Sequence, residues 1–212
     1  MRDPQTTSSR QVFPMQVSTG ALARSGKGAE DAIATVELQT LERTDGGIPT
    51  LLLAVVCGDY ATPALESVKD AFACSLGADL ATAKKLVETA SPPLAPSCAV
   101  ALVSGHRLYT WASGSGRVHL QRTGSVRELP PGEHDLVHGD VVAVVTAAVD
   151  LKIPWLVARH LTEPVVGSVR LGVDPFRNDG LDDPLALALA QHRSHAGPLG
   201  VALAWVGYAP GP

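Results

Sequence analysis

Apolar residues gather along this chain in short runs that are typical of β-strands. The stretch 31–42 has a strand-like composition, and the strongly apolar run 50–57 follows it after a Gly-containing turn. These runs predict a hairpin whose second strand is buried. A helical stretch opens at Pro63, with a break near Gly77. Its apolar positions recur at helical spacing and predict one buried face, formed by Ala64, Leu65, Val68, Ala71, Phe72 and Leu76.

The second half of the chain opens with β signals separated by polar or Gly-containing turns. These signals cover residues 97–103, 106–113, 117–122, 125–130 and 140–146. Closely spaced strands of this kind form an antiparallel meander. The last part of the chain then predicts a helix over 150–161, a Pro- and Gly-rich flap over 162–184, a helix over 184–196 and a strand over 200–208. Helical blocks combined with antiparallel strands predict an α+β layered sandwich.

Length and composition favour one globular domain. The chain has 212 residues, 45% of them hydrophobic and 18% charged, which is enough to bury a core. We expect the domain to span 16–208, between flexible tails at 1–15 and 209–212. The net charge of −4 and the lack of a basic stripe argue against a nucleic-acid partner. No apolar run approaches the length of a membrane span, so no membrane association is expected.

The cysteines indicate which cellular compartment to expect for the protein. Their number is odd, and apolar neighbours surround Cys57, Cys74 and Cys98. Buried reduced thiols and a cytoplasmic protein are therefore expected. The first residues carry charges and prolines rather than an apolar core, which does not resemble a signal peptide.

The segment after the run 141–145 poses a chemical question. A buried strand that ends between a turn and a helix commonly presents a catalytic side chain. Here the tip carries only Thr146, Ala147 and Ala148, which supply one hydroxyl and two methyl groups. Such a tip is built like an active site but lacks reactive groups.

Four stretches together resemble motifs of the metal-dependent protein phosphatases of type 2C, the PPM family. The family motifs NED, ADG, GDSR and GD…SDG are matched in order by GKGAEDA at 26–32, LLLAVVCGDYA at 51–61, GSGR at 114–117 and GDVVAVVTAAV at 139–149. The resemblance covers roughly residues 17 to 206. It implies a four-layer α-β-β-α sandwich, in which two antiparallel sheets are flanked by helices.

The resemblance also implies a chemistry. Two Mg²⁺ or Mn²⁺ ions, held chiefly by carboxylates, lower the pKa of a shared water and orient it for attack on a phosphoester. An arginine helps to hold the phosphate. Several carboxylates are needed to balance the charge of the two cations.

The matched positions retain little of this machinery. Asp31 matches a metal carboxylate, with Glu30 beside it as a supporting residue. The bridging aspartate falls on Cys57, and Asp59 could replace it only if the turn is remodelled. Three further family residues are also replaced: the phosphate-binding arginine falls on Gly26, with Arg24 as a substitute, and two acids fall on Ala147 and Pro198.

Structural explanations compete at each retained position. Glu30 and Asp31 could simply be a charged pair that begins a strand. Asp59 could form an Asx-turn or cap the helix near Pro63, and Cys57 could be a packing residue. The resemblance nevertheless predicts that the strands ending at Cys57 and Val145 converge on one cleft.

The sequence therefore favours a catalytically degenerate phosphatase, a pseudophosphatase that acts as a binding or regulatory module. Its expected partner is a protein: a kinase, a phosphoprotein or a regulatory complex. No cofactor is expected, and at most one weakly bound Mg²⁺ or Mn²⁺. The alternative is a weak Mn²⁺- or Mg²⁺-dependent serine/threonine phosphatase using Asp31 and Asp59. A third hypothesis is a purely structural or oligomerisation domain.

Overall fold

The computed structural model describes six parts of the chain: residues 15–24, 33–45, 48–58, 60–90, 97–145 and 199–208. Ten strands and two helices lie within them. The strands are β1 Met15–Arg24, β2 Ile33–Asp45, β3 Ile48–Gly58, β4 Ser97–Ser104, β5 Arg107–Ser113, β6 Arg117–Arg122, β7 Ser125–Glu128, β8 Gly132–Asp135, β9 Asp140–Val145 and β10 Leu199–Tyr208. The helices are α1 Ala61–Ala73 and α2 Leu80–Ala90.

The strands form two five-stranded antiparallel sheets. The first sheet has the order β1-β10-β9-β6-β7, and the second has the order β2-β3-β4-β5-β8. The predicted hairpin is present, because β2 pairs with β3 in the second sheet. The α+β class with two antiparallel sheets is confirmed.

Two apolar cores explain how the layers stack. Alternate residues of a strand point to opposite faces, so one strand can serve two cores. Leu53 and Val55 of β3 pack between the sheets, together with Val142 and Val144 of β9. The intervening residues of β3 face the helices in a second core, which includes Leu52, Val56, Leu65, Phe72 and Leu86. Burial of one large apolar side chain contributes about 1.5–3 kcal/mol, so these cores hold the described layers together.

The predicted helical face is correct up to the end of α1 and wrong beyond it. Leu76 is 95% exposed, because α1 ends at Ala73 and Leu76 lies in the link to α2. The break near Gly77 is present. Asp79 caps the second helix, where its Oδ1 accepts a 2.7 Å hydrogen bond from the Thr82 amide. The helix-like spacing continues past the point where the backbone leaves the helix.

Some sequence expectations need correction. Cys74 is exposed rather than buried, since it follows the last residue of α1, whereas Cys98 is buried and Cys57 is half-buried. The predicted meander is divided between two sheets, because the chain crosses from β5 to β6. The short polar strand β8 was not predicted. It joins the second sheet through backbone pairing with β5.

Other predictions lie outside the described residues. These are the helices over 150–161 and 184–196 and the flap over 162–184. The domain limits and the flexible tails stay predictions. Neither described helix is long and apolar enough to cross a lipid bilayer.

Candidate functional site

The predicted site lies at one end of the sandwich, where strands of the second sheet begin or end. Ile33 at the start of β2 pairs with Gly58 at the end of β3, and Cys57 pairs with Ser97 at the start of β4. Gly58 has a φ of 146°, a conformation that glycine adopts far more readily than other residues. The chain can therefore turn sharply directly after Cys57.

A short turn carries the chain to the first sheet at this same end. Ser113 ends β5 and pairs with Cys98, whereas Arg117 begins β6 and pairs with Val145, the last residue of β9. Only residues 114–116 separate the two strands, so Ser113 and Arg117 lie within about 14 Å of each other even in an extended chain. Strands β3 and β9 belong to different sheets but end at the same end of the sandwich, as the sequence predicted.

Cys57 stands where the resemblance places a bridging aspartate. Its thiol is half-buried, and burial raises the pKa of Cys57 above its ordinary value. The thiol is therefore protonated and neutral at physiological pH. Mg²⁺ and Mn²⁺ are hard cations that prefer carboxylate oxygens to sulfur. This position therefore supplies neither the charge nor the ligand type that such a centre requires.

Arg24 is the second predicted site residue that the structure describes. It is the last residue of β1 and pairs with Leu199 at the start of β10. Its backbone therefore lies at the same end of the first sheet as Val145. The other predicted site residues lie outside the described parts of the chain: Gly26, Glu30, Asp31, Asp59, Ala147 and Pro198. Their roles stay predictions.

Two serines that the sequence analysis did not single out meet at this end. The Ser97 and Ser115 hydroxyl oxygens are 2.8 Å apart, and the Ser115 amide donates a 3.0 Å hydrogen bond to Ser97 Oγ. A signal was present in the sequence. Aligning GSGR with the GDSR motif places Ser115 at the acid of that motif, so a neutral hydroxyl stands at a further position where the family has a carboxylate.

The arginine of the same motif is held by its own turn. Arg117 Nη1 donates hydrogen bonds to the carbonyl oxygens of Gly114 at 2.9 Å and Gly116 at 2.7 Å. Its Nε lies 3.3 Å from a carboxylate oxygen of Glu128 on β7. These contacts stiffen the crossover turn, residues 114–116 between β5 and β6, and leave part of the guanidinium at the surface.

The donor set of the described site does not fit a dinuclear Mg²⁺ or Mn²⁺ centre. Cys57, Ser97 and Ser115 contribute a neutral thiol and two hydroxyls, and none of them is an acid. Across the parts of the chain that the structure describes, no group of three or more His, Cys, Asp or Glu residues could hold a metal ion. The acids that could do so, Asp31 and Asp59, lie outside those parts.

Comparison with known proteins identifies the architecture. The catalytic domain of the serine/threonine protein phosphatase PstP, solved with two manganese ions, superposes with a TM-score of 0.58 at 13% identity, over 92% of this chain and 100% of that one. The PP2C phosphatase domain of SpoIIE from Bacillus subtilis, with a fragment of its regulatory domain, gives 0.58 at 13%, over 93% and 65%. The chain has the protein phosphatase 2C fold.

A third structure with this fold is PppA, a key regulatory component of T6SS in Pseudomonas aeruginosa. Its TM-score is 0.55 at 8% identity, over 90% of this chain and 97% of that one. No protein-family model matches the chain, and no curated protein matches it in sequence.

Proposed function

We propose that this chain is a catalytically degenerate protein phosphatase 2C-like domain that acts as a binding or regulatory module. One observation carries the proposal: Cys57, at the bridging position of the motif, is a half-buried neutral thiol at the end of β3. A bridging ligand contacts both cations, so its loss affects the whole centre.

Charge balance supports the same conclusion. Two divalent cations bring four positive charges, which the surrounding carboxylates must largely compensate. The motif positions offer Asp31, with Asp59 nearby, whereas Ala147 and Pro198 carry no charge. The described residues Cys57 and Ser115 add none. A centre with two cations would be strongly undercompensated.

The proposed partner is a protein, namely a kinase, a phosphoprotein or a regulatory complex. PppA is a regulatory component of a larger system, and the SpoIIE phosphatase domain was solved with part of a regulatory domain. These relationships support a role in phospho-signalling for this chain, in which the fold provides a docking surface.

The alternative function is a weak Mn²⁺- or Mg²⁺-dependent serine/threonine phosphatase. It is favoured by the pairing of Ile33 with Gly58. In the sequence, Asp31 precedes Ile33 by two residues and Asp59 directly follows Gly58, so both acids are close along the chain to this pair. One weakly bound cation there would be compatible with either function.

Calorimetric titration with MnCl₂ tests the proposal. We expect no two-site binding by the unmodified chain, and at most one weak site that Asp31→Asn removes. The double variant Cys57→Asp/Ala147→Asp restores two carboxylates and should gain Mn²⁺ binding. The matched control Cys57→Ser removes the thiol without adding charge and should not. Two tight sites in the unmodified chain would refute the proposal.

A further inference from the structure

The motif positions and the sheet topology together indicate how a metal centre would connect the two sheets of this fold. Cys57 lies in β3 of the second sheet, and in the sequence Asp31 precedes β2 of that sheet by two residues. In the first sheet, the sequence puts Ala147 two residues after β9 and Pro198 directly before β10. Cations held by acids at these positions would therefore link the two sheets at the site end, the end of the sandwich where β3 and β9 end. Without such a centre, the sheets are joined there by contacts between the chain's own residues.

The Ser97–Ser115 pair lies at the site end, between a strand of the second sheet and the turn that leads to the first. Ser97 begins β4 in the second sheet, and Ser115 lies in the crossover turn that leads to β6 in the first. Ser97 is only 7% exposed, so its hydrogen bonds are shielded from water. Its oxygen accepts from the Ser115 amide and also contacts the Ser115 hydroxyl, which provides two hydrogen bonds between the strand and the turn.

Close packing supports the same contact. A Cβ atom on Gly116 would lie 2.8 Å from the Cys98 carbonyl oxygen and 2.9 Å from the Ala99 Cβ. The turn backbone therefore lies directly against β4, an approach that only glycine allows. Arg117 follows immediately and pairs with Val145, so the position of the turn sets the position of the β9 end.

We propose that the Ser97–Ser115 pair is a metal-independent clamp that joins the two sheets at the site end and keeps that end ordered without divalent cations. This inference rests on the proposed degenerate function, because a working metal centre would make such a clamp redundant. Both hydroxyls are neutral, so the clamp needs no counter-ion. The site end would thus be preformed for a partner.

Hydrogen exchange of the full chain, followed for the crossover turn around Ser115, tests the clamp. Ser97→Ala removes both hydrogen bonds and should speed exchange of the turn by about tenfold, whereas Ser115→Ala keeps the amide bond and should speed it by about threefold. Ser97→Thr retains a hydroxyl and should keep the turn protected from exchange, unlike Ser97→Ala. Adding Mn²⁺ or EDTA should leave exchange of the unmodified turn unchanged.

A matched control lies at the other end of the same strand. The Thr50 hydroxyl donates a 3.2 Å hydrogen bond to Ser104 Oγ, and Ser104 is the last residue of β4. Ser104→Ala therefore removes a hydroxyl contact from β4 far from the site, and it should leave the crossover turn protected.

The outcomes separate the clamp from the proposed function. Unchanged exchange in Ser97→Ala, or protection of the unmodified turn that requires Mn²⁺, would overturn the clamp. Metal-dependent phosphatase turnover by a protein whose turn is protected equally with and without Mn²⁺ would overturn the proposed function and leave the clamp standing.

Discussion

Arg122 and Asp140 form a two-point ion pair, with Nε 2.9 Å from Oδ1 and Nη2 2.7 Å from Oδ2. The Asp140 side chain is only 1% exposed, and its Oδ2 also accepts a hydrogen bond from the Val137 amide. Arg122 donates a further bond to the Asp135 carbonyl. The pair joins the end of β6 to the start of β9, at the end of the first sheet opposite the candidate site.

Arg122→Ala should therefore destabilise the fold strongly. Removing the guanidinium leaves a buried carboxylate without its cation, which we expect to cost about 3 kcal/mol. Arg107 is the matched control, since it also contacts two carboxylates, Glu133 and Asp135, at 2.9 Å each, but all three groups are exposed. Arg107→Ala should cost about 0.5 kcal/mol. Urea unfolding would measure both, and equal losses would contradict the role given to burial.

The crossover turn should tolerate no side chain at Gly116. Gly116→Ala places a Cβ against the β4 backbone and should cost about 2 kcal/mol, because neither the strand nor the turn can move freely. Gly77 provides the control, since a Cβ there would meet no atom of the described residues within 4 Å. Gly77→Ala should be neutral or slightly stabilising. Thermal unfolding that shifts equally in both variants would contradict the close approach of turn and strand.

Individual strands and one leucine show how far the sequence predicts the fold. The buried strands β3 and β4 were predictable, because their apolar runs are long and bounded by turns. The strand β8 was not, since the residues Gly132–Asp135 offer no apolar pattern and pair only through their backbone. Helical spacing wrongly predicts that Leu76 is buried, because the spacing does not reveal where a helix ends.

The candidate site was partly predictable for similar reasons. The motif alignment located Cys57 at a strand end, and the structure places it there. The contact between Ser97 and Ser115 could not be derived, because it depends on a turn that crosses from one sheet to the other. Sequence spacing alone does not reveal which strand such a turn packs against.

His119 should make stability depend on pH. It is 4% exposed, Nδ1 has no hydrogen-bond partner among the described residues, and burial lowers the pKa of His119 below its ordinary value. Above about pH 6.5 both the folded and unfolded states hold this group neutral. As the pH falls below that value, the unfolded state takes up the proton first, so stability decreases. His119→Gln should lose less stability than the unmodified chain between pH 7.5 and pH 5.5, and an equal loss in urea unfolding would contradict this.

The cysteines should react with iodoacetamide in a fixed order. Cys74 is exposed and should react first, whereas Cys57 is half-buried with a raised pKa and should react more slowly. Burial raises the pKa of Cys98 to about 12, so Cys98 should react only after unfolding. Mass spectrometry of the alkylated protein in buffer and in denaturant measures the order. Rapid labelling of Cys98 in the native protein would contradict the burial of β4.

Phosphatase turnover of the unmodified chain on p-nitrophenyl phosphate and phosphopeptides, with Mn²⁺ or Mg²⁺, tests the central claim most directly. Without the metal ions there is no water with a lowered pKa to attack the phosphoester. Loss of even one well-placed electrostatic group typically lowers the rate about 10²–10³-fold, and several such groups are replaced at the motif positions of this chain. We predict no turnover above background, and no rescue by Ala147→Asp alone, because Cys57 still occupies the bridging position. Turnover that survives Asp31→Ala would indicate a contaminating enzyme. Metal-dependent turnover that Asp31→Ala abolishes would contradict the degenerate function and establish the weak phosphatase instead.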